Sequence, residues 1–354
     1  MANPNIYDIA KLAGVSPATV SRVLNGNNIV KQATKEKVLS IIEAEGYKPN
    51  IFARNLSNGD SNTIAFVVPD IDNQFFIKLL HGITAVAMDA NLNVCMYDTC
   101  EDVEREHKVL SSISTEMIKG LIIIPVSEEN AETKEKLEQY EDQGVPVVLI
   151  DRDVIGCGFD GVFSDDIHGS EEAVECLIKQ GHKNIAIITG PQTSRPGRER
   201  YKGYERALEK AGIAINPQYV VDGAFRVYES YNAMKSLMQL SPRPTAIFTS
   251  NNLSTLGCLK YLKEHGMRLI EDISIVGFDD IPELTYTDIS LSVVTRPVYE
   301  LGCEAMNLLK LRFSEDALPV RDRSIVRRHT AKTQLIRRGS EMFREFEGGL
   351  GENT

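Results

Sequence analysis

The N-terminal part of the chain contains two short stretches in which apolar residues recur at helical spacing. The first is Ile6–Ala13, and the second, which ends near Leu24, has two valines and a leucine on one side. Between them, Gly14 supplies the backbone freedom for a tight turn. Ser16 is a good N-cap for the second helix, and Pro17 suits its first position. The pattern therefore predicts two short amphipathic helices joined by a glycine-containing turn.

The outer face of the second predicted helix is polar and carries no carboxylate. Its residues are small or form hydrogen bonds, and one is a guanidinium: Pro17, Ala18, Thr19, Ser21, Arg22 and Asn25. Such a pair of helices is typical of a helix-turn-helix that reads the DNA major groove. An ordinary helical hairpin in a protein core is the alternative. A third helix, capped by Thr34 and ending at Gly46, would complete a three-helix head.

A short segment separates this head from the rest of the chain. The apolar run after Pro49 is too brief to form a stable isolated helix in water, and a polar linker rich in Ser and Asn follows it. We therefore expect a head of residues 1–47, a hinge helix and linker of residues 48–61, and a body that begins at residue 62.

From Thr63 onward, short β-rich runs alternate with helical stretches. The runs are bounded by Pro, Asp or Gly and read IAFVVP, LNVCMYD, GLIIIP, VPVVLID, GVFSDD, NIAIITG, TAIFTS and ISIVGF. This alternation predicts parallel sheets with helices on both faces. With about eight or nine strands, the body is expected to be α/β, with two doubly wound sheets side by side.

The distribution of charge changes what the overall balance implies. A net charge of −11 by itself disfavours a nucleic-acid binder, but residues 1–60 carry a net charge of +2. A mildly basic head on an acidic body fits DNA contact by the head alone, because phosphates repel the body. The stretch from Arg321 to Arg338 is basic as well, and a terminal strand with solvated charges is its simpler interpretation.

Several kinds of chemistry find no motif in the sequence. The six cysteines occur singly, as expected of reduced cytoplasmic thiols, and the six histidines show no metal-ligand spacing. There is no signal segment and no apolar run of membrane-spanning length. Residues 156–161 spell GxGxxG, but a β-like run follows them, so no helix N-terminus would hold a pyrophosphate. We expect a cytoplasmic protein that is not an enzyme and needs no cofactor or metal.

Polar residues occupy the positions where predicted strands end. Asp151, Asn251 and Asp279 each follow a strand, and Arg200 opens a helix after another strand. Ligands of open parallel sheets bind at the carboxyl ends of the strands. Carboxylates, amides and a planar guanidinium are suited to adjacent hydroxyl groups. The body is therefore expected to bind a polyol or sugar.

The motifs and their order resemble a known family over nearly the whole chain. AKLAGVSPATVSRVLNG, GYKPNIFARNLSNGDSNTIAFVVPDIDNQFF, GHKNIAIITG, SNN and ISIVGFDDI follow the order found in the lactose-repressor and galactose-repressor (LacI/GalR) transcription regulators. The resemblance implies a body like the periplasmic sugar-binding proteins, with three chain crossings between two lobes. Lobe 1 is expected at about 62–162 and 293–323, lobe 2 at about 163–292 and 324–338, the body to residue 340, and a tail at 341–354.

Candidate site residues follow from these motifs. On DNA, base-edge contacts are expected from Ser16, Pro17, Ala18 and Arg22, and phosphate contacts from Tyr7, Thr19, Ser21, Asn25 and Tyr47. In the family's hinge helix a leucine wedges into the minor groove; Leu56 matches it, with Asn50 and Ala53 beside it, and an exposed linker residue is the alternative. The implied effector-contacting residues are Asn73, Phe75, Asp151, Phe163, Arg200, Phe225, Asn251 and Asp279. The phenylalanines among them fit core burial equally well.

One position departs from the family pattern. Most relatives have glutamine where this chain has Arg296 in VVTRP. If Arg296 and Arg200 both face the cleft, an anionic effector such as a sugar phosphate or sugar acid is favoured.

The expected function is a homodimeric transcription regulator. Its two heads would read a pseudo-palindromic operator, and a sugar-like effector between the lobes would control it, most simply as a repressor of a sugar-utilisation operon. A catabolite-control regulator that uses a phosphocarrier protein as corepressor is one alternative. A sugar-binding transport protein is another, but it would need an export signal and would lack the DNA-binding head.

Overall fold

The computed structural model describes residues 4–24, 30–47, 61–315 and 325–342. The chain divides into two compact units, Met1–Ser61 and Asn62–Thr354. Three helices make up the described part of the first unit: α1 (Ile6–Ala13), α2 (Pro17–Leu24) and α3 (Gln32–Ala44).

Side-chain caps fix the starts of the first two helices. Asn5 accepts hydrogen bonds from the backbone N–H groups of Tyr7 and Asp8, and the Asp8 carboxylate accepts one from Asn5 N–H. Gly14 ends α1 with a φ of 67°, a left-handed conformation that favours glycine. Ser16 Oγ accepts the N–H of the residue three positions later at 3.2 Å. The predicted turn and the predicted N-cap are confirmed, while the Asn5 cap has no counterpart in the sequence prediction.

The start of α3 differs from the prediction. The helix begins at Gln32, after Lys31 and without a side-chain cap, so the prediction that Thr34 caps it is wrong. Instead, the Gln32 amide donates to the Glu36 carboxylate at 2.9 Å, an i to i+4 contact that stabilises the first turn. The three helices pack on a common core of Ile9, Ala10, Ala13, Val20, Val23 and Val38.

The second unit consists of two lobes, each built on a six-stranded sheet. The strands of lobe 1 are β1 (Thr63–Val68), β2 (Asn93–Asp98), β3 (Gly120–Ile123), β4 (Val147–Ile150), β5 (Asp160–Ser164) and β11 (Arg328–Ala331). They lie in the order β11-β5-β4-β3-β1-β2, and every pair is parallel. The helices are α4 (Gln74–Asp89), α5 (Val103–Ser112), α6 (Ala131–Asp142) and α11 (Val298–Glu315), with a 3-10 turn at Thr115–Met117.

Lobe 2 repeats this plan with one antiparallel edge. Its strands are β6 (Ile185–Thr189), β7 (Val220–Asp222), β8 (Ala246–Thr249), β9 (Ser274–Phe278), β10 (Ser292–Thr295) and β12 (Gln334–Ile336). The order is β12-β10-β9-β8-β6-β7, and β12 alone runs antiparallel to its neighbour. The helices are α7 (Asp166–Lys179), α8 (Arg195–Lys210), α9 (Val227–Met238) and α10 (Asn252–Glu264), with 3-10 turns at Pro217–Tyr219 and Pro282–Tyr286.

Helices cover both faces of each sheet, as the alternation of runs predicted. In lobe 1, α4 and α11 pack on one face and α5 and α6 on the other. In lobe 2, α9 and α10 pack on one face and α7 and α8 on the other. The central strands are buried on both sides, which explains their continuous apolar runs. Within the described residues, none of the helices has the length and apolar character that a bilayer crossing requires.

The chain crosses between the lobes three times, at positions that differ from those expected. The crossings lie at residue 165, at 296–297 and at 332–333, between the strands and helices of the two sheets. The expected boundaries after residues 292 and 323 are wrong, because β10 pairs with β9 in lobe 2 and β11 pairs with β5 in lobe 1. The second and third crossings thus follow β10 and β11, two four-residue strands that were not among the expected β-rich runs.

Two glycines allow α4 and α11 to pack with their backbones in contact. A Cβ atom on Gly82 would lie 2.0 Å from the carbonyl oxygen of Tyr299, and one on Gly302 would lie 2.2 Å from that of Leu79. Because both neighbours are backbone atoms, neither can move aside without shifting a helix. This close crossing is therefore specified by the absence of two side chains.

We expect Gly82→Ala to lower the free energy of unfolding by about 1–3 kcal/mol, because overpacking outweighs the helix propensity gained by alanine. Thermal unfolding of the full chain measures the effect. His81→Ala, at the exposed neighbouring position, is the matched control and should change stability by less than about 0.5 kcal/mol. A stabilised Gly82→Ala variant would contradict the backbone contact.

Candidate functional site

The described head presents α2 as a surface with the character predicted for a DNA-reading helix. Ala18 and Arg22 are exposed, whereas Val20 and Val23 on the opposite face are buried in the head core. No acidic residue occurs in α2. On α1, Tyr7 is 71% exposed. Because this helix carries no carboxylate that would repel phosphates, its exposed guanidinium can approach phosphates and guanine edges.

The other predicted DNA-contacting residues of the head lie in less open positions. Pro17, Thr19 and Ser21 are half-buried, and exposed Ser16 forms a hydroxyl contact with Thr19 at 3.0 Å while capping α2. Tyr47 is half-buried and packs against the head core, so only part of it faces outward. Four of the predicted residues lie outside the described residues: Asn25, Asn50, Ala53 and Leu56.

A polar cavity lies between the two lobes at the carboxyl ends of their strands. It is lined by Asp70, Asn73, Phe75, Phe76, Glu101, Asp151, Arg152, Pro196, Arg200, Phe225, Asn251, Leu253, Asp279 and Arg296. All but one of the residues predicted to contact an effector are in this set. The water-accessible space in the cavity is about 20 Å³, enough for roughly one water molecule.

The exception is Phe163, which does not line the cavity. Its side chain is 1% exposed and packs in the core of lobe 1 with Leu149 and Phe159. The guanidinium of Arg195 lies 4.2 Å from its ring centroid. Core burial, the alternative stated for the phenylalanines, describes Phe163 in this structure.

The two lobes present a carboxylate to the cavity in the same way. Asp151 follows β4 and Asp279 follows β9, with φ values of 65° and 66°. The backbone N–H of each aspartate donates to a carbonyl oxygen of the neighbouring strand at 2.9 Å. The acceptor is Val162 in lobe 1 and Val294 in lobe 2. Non-glycine residues adopt this conformation only where the surrounding structure enforces it, and such residues cluster at ligand sites. The matched turns aim both carboxylates into the cleft.

Arg296 connects these two carboxylates. Its Nε donates to Asp279 Oδ1 at 2.8 Å and its Nη2 to Asp279 Oδ2 at 3.1 Å, a bidentate pair. Its Nη1 donates to Asp151 and, at 2.8 Å, to Ser164 Oγ. The guanidinium lies 4.1 Å from the ring centroid of Phe75, and its side chain is 2% exposed. One cation thus binds acceptors from both lobes.

These contacts shift the pKa values of the partners. Burial opposes ionisation of Asp151, but the guanidiniums of Arg296, Arg200 and Arg152 outweigh it and hold the pKa of the Asp151 carboxyl below its usual value. For Arg296, burial favours loss of the proton, and the carboxylates of Asp279 and Asp151 outweigh it and raise its pKa. Both groups are therefore charged at neutral pH.

A second buried arginine supports the floor of the cavity within lobe 2. Arg200 donates through Nε to Asp166 at 3.0 Å and through Nη1 to the carbonyl of Ser250 at 2.6 Å. Its guanidinium lies 3.7 Å from the ring centroid of Phe278. Arg200 therefore faces the cleft, as predicted, but its charge is already paired.

The sequence reasoning missed a third pair in lobe 1. Arg152 donates to both oxygens of Glu101 at 2.6 and 2.8 Å, and both side chains line the cavity. Burial opposes the charge, but Glu101 outweighs it and raises the pKa of Arg152. The partners are 51 positions apart in sequence, so no local motif marks the pair.

Several hydrogen bonds join the lobes around the cavity. Asn252 Nδ2 donates to Asn73 Oδ1 at 2.9 Å. Farther along the cleft, Glu128 of lobe 1 donates its N–H to the carbonyl of Thr193 at 3.0 Å and accepts from Arg198 at 2.5 Å. Burial raises the pKa of the Glu128 carboxyl. The lobes are thus closed on each other by polar contacts.

The charges of the cavity do not support an anionic effector. Four carboxylates and three guanidiniums are present among the described residues that line it. Arg296 and Arg200 both face the cleft, as the hypothesis required, but each is paired with aspartates. A bound anion would therefore meet one more carboxylate than guanidinium, and each of these guanidiniums already binds a carboxylate.

Two family models match the chain. One, described as "Bacterial regulatory proteins, lacI family", covers residues 5–50, which include α1, α2 and α3. The other, described as "Periplasmic binding protein-like domain", covers residues 174–340. Catabolite control protein A of Priestia megaterium is 33% identical over 325 residues, which are 92% of this chain and 96% of that protein. The chain belongs to the lacI family of bacterial regulatory proteins.

Other comparisons agree with this assignment. The transcriptional repressor CytR of Escherichia coli is 33% identical over 302 residues, 85% of this chain and 87% of that protein. The solved complex of the transcriptional regulator CelR with cellobiose has a TM-score of 0.69 at 28% identity and covers 95% of this chain and 99% of that one. This lacI-family protein is a DNA-binding transcription regulator, and its head distinguishes it from transport proteins with a similar body.

The lac repressor dimer bound to operator shows how closely the fold is shared. Its TM-score is 0.79 at 23% identity, and the match covers 96% of this chain and 100% of that chain. At this identity the likeness establishes the fold of this lacI-family regulator and nothing beyond it.

The pKa of Asp151 predicts how stability responds to acid. Because folding lowers this pKa, the carboxylate contributes stability above its unfolded pKa of about 3.9 and loses it as the pH falls through the folded value. We expect Asp151→Asn to lower the melting temperature most at neutral pH, with a difference from wild type that shrinks below about pH 4. Thermal scans from neutral to acidic pH measure it, with exposed Asp89→Asn as control. A constant difference at every pH would contradict the assignment.

Proposed function

We propose that this regulator binds a pseudo-palindromic operator as a homodimer in the cytoplasm, and that a small polyhydroxylated ligand bound between the lobes controls its operator affinity. The main support for this proposal is the interlobe cavity, where side chains from both lobes converge at the strand ends. A ligand that contacts both lobes favours one angle between them over another. The most direct physiological role is repression of a sugar-utilisation operon.

The proposed DNA interface is the outer face of α2. Arg22 is exposed and has the fork geometry for the acceptors of guanine, while Pro17 and Ala18 offer apolar contact to thymine methyl groups. Ser16 adds a hydroxyl at the same end of the helix. Phosphate contacts are assigned to Tyr7, Thr19, Ser21, Asn25 and Tyr47. In the hinge, we assign the minor-groove wedge to Leu56, beside Asn50 and Ala53.

We propose a neutral sugar or sugar derivative as the ligand. The cavity offers amides at Asn73 and Asn251, an aromatic wall at Phe225 and carboxylates from both lobes. These groups both donate and accept, as adjacent hydroxyls require. The excess of carboxylates over guanidiniums favours a neutral ligand over an anion. The cellobiose complex of a 28% identical regulator supports a sugar.

Arg22→Ala should weaken binding to an operator selected from a random-sequence pool by about 1–3 kcal/mol and relax specificity at one base pair of each half-site. Fluorescence anisotropy of the full chain at fixed salt, on the selected duplex and on single mismatches, measures both effects. Arg206→Ala, an exposed arginine of α8, is the control and should bind as wild type. Equal loss on every duplex would reassign Arg22 to the phosphate backbone.

Asn251→Ser should separate ligand binding from helix capping. Asn251 Oδ1 accepts the N–H of Ser254 at 2.8 Å as the N-cap of α10, and serine can replace that role. The amide nitrogen is lost, and we expect the affinity for the sugar found in a calorimetric panel to fall about tenfold. Asn130→Ser, the same change at the cap of α6, should leave sugar affinity unchanged. Unaltered binding by Asn251→Ser would exclude this amide from the ligand site.

A catabolite-control function is the second candidate. It is favoured by 33% identity to catabolite control protein A over 92% of the chain. The two functions differ in what changes operator affinity. Our proposal predicts that a sugar alone changes it, by a coupling free energy of about 1–3 kcal/mol. A phosphocarrier protein that binds in a pull-down and is required for the change would favour the second candidate.

A further inference from the structure

Arg296 binds the acceptor groups that a ligand in the cavity would use. Its guanidinium lies between the carboxylates of Asp151 and Asp279, which come from different lobes, and also binds Ser164. Three of its nitrogens donate, and it packs on the ring of Phe75. A sugar bound in the same place would present hydroxyl donors to the same oxygens. The side chain therefore makes the contacts of a ligand while being part of the chain.

The position of Arg296 in the chain allows it to act on the angle between the lobes. It follows β10 of lobe 2 and precedes α11 of lobe 1, so its backbone lies on a crossing. The two ion pairs are buried, with side-chain exposures of 2% for Arg296, 6% for Asp151 and 8% for Asp279. Opening the cleft would separate at least one carboxylate from the cation. Removing the cation from the closed cleft would instead leave both carboxylates buried without it, which is strongly destabilising.

The size of the cavity agrees with this role. Ligand cavities of proteins ordinarily measure about 300–1,000 Å³, and the cavity that both Asp151 and Arg296 line has a volume of about 20 Å³. A separate space of about 230 Å³ is lined by Phe75, Asp279 and Arg296 but not by Asp151. The guanidinium and the closed lobes thus take up the space between the strand ends.

We propose that Arg296 is a tethered substitute for the hydroxyl groups of a ligand, which holds the two lobes closed when no small molecule is bound. A ligand then competes with the guanidinium for Asp151 and Asp279. The proposal rests on the proposed function only in taking this cavity as the effector site. Its test measures closure itself, without operator or sugar.

Hydrogen exchange at Glu128 reports closure away from Arg296. Its backbone N–H donates across the cleft to Thr193, whereas the side chain of Arg296 donates to Asp151, Ser164 and Asp279. In the full chain, we expect Arg296→Gln to speed exchange of the Glu128 amide by about tenfold or more, because the lobes open more often. A peptide covering residues 64–68 of β1, in the same digest, should exchange as in wild type and show that the fold is intact.

Arg338→Gln is the matched control. Arg338 makes a bidentate pair with Asp280 at 2.8 Å on both oxygens, but this pair lies within lobe 2. Its loss should leave the exchange of Glu128 unchanged. Arg296→Lys, which keeps the cation but not the fork, is the second variant and should give exchange between those of wild type and Arg296→Gln.

Guanidinium ion tests whether the group acts as a ligand. Added to Arg296→Ala at about 20 mM, well below denaturing concentrations, guanidinium chloride should restore slow exchange at Glu128, and sodium chloride at the same ionic strength should not. The proposal is overturned if Arg296→Gln and Arg296→Lys are folded and the Glu128 amide exchanges in both at the wild-type rate. It is also overturned if guanidinium gives no protection that sodium chloride does not give.

Discussion

Two buried carboxylates, Asp151 of lobe 1 and Asp279 of lobe 2, must both be stabilised in their charged form between the lobes. Asp151 and Asp279 each come directly after a buried strand, adopt a left-handed backbone conformation and are buried at the cleft. Taking such charges out of water is costly unless a cation with good geometry meets them. Arg296 meets both at once. This contact joins the lobes at the centre of the cavity, beside the hydrogen bonds of Asn252 with Asn73 and of Glu128 with Thr193.

Much of the fold could be predicted because its signals are local. Strands such as β1 and β6 are five or six residues of continuous apolar sequence, and α1 and α2 show helical spacing around Gly14. Strands β10 and β11 have four residues each, and three of the four residues of β11 are exposed. Neither strand was among the runs expected from the sequence. Because the chain changes lobe after each of them, the second and third crossings were misplaced.

The site divides in the same way. Asp151, Asn251 and Asp279 could be predicted to converge because each directly follows a strand, and strand ends meet at one edge. Phe163 could not be assigned, because a strand covered on both faces gives no sign of which way a residue points. The pairing of Arg152 with Glu101 depends on tertiary structure. For that reason the sign of charge in the cavity could not be predicted from the arginines alone.

The head and the body have complementary electrostatics. Residues 1–60 are mildly basic within a chain of net charge −11, and the described α2 presents an arginine without acids. The rest of the chain carries the negative net charge, which disfavours contact with phosphate, and its interlobe cavity is lined by paired charges. The two units thus differ in charge as well as in fold.

The central claim is that ligand binding between the lobes and operator binding by the head are thermodynamically coupled. Calorimetric titration of the sugar effector into the full chain, alone and saturated with operator, tests it most directly. Linkage requires the operator to change the sugar's dissociation constant by the same factor by which the sugar changes that of the operator. We expect each dissociation constant to change by a factor of about 5–150, equal in both directions. Identical sugar affinity with and without operator would contradict it.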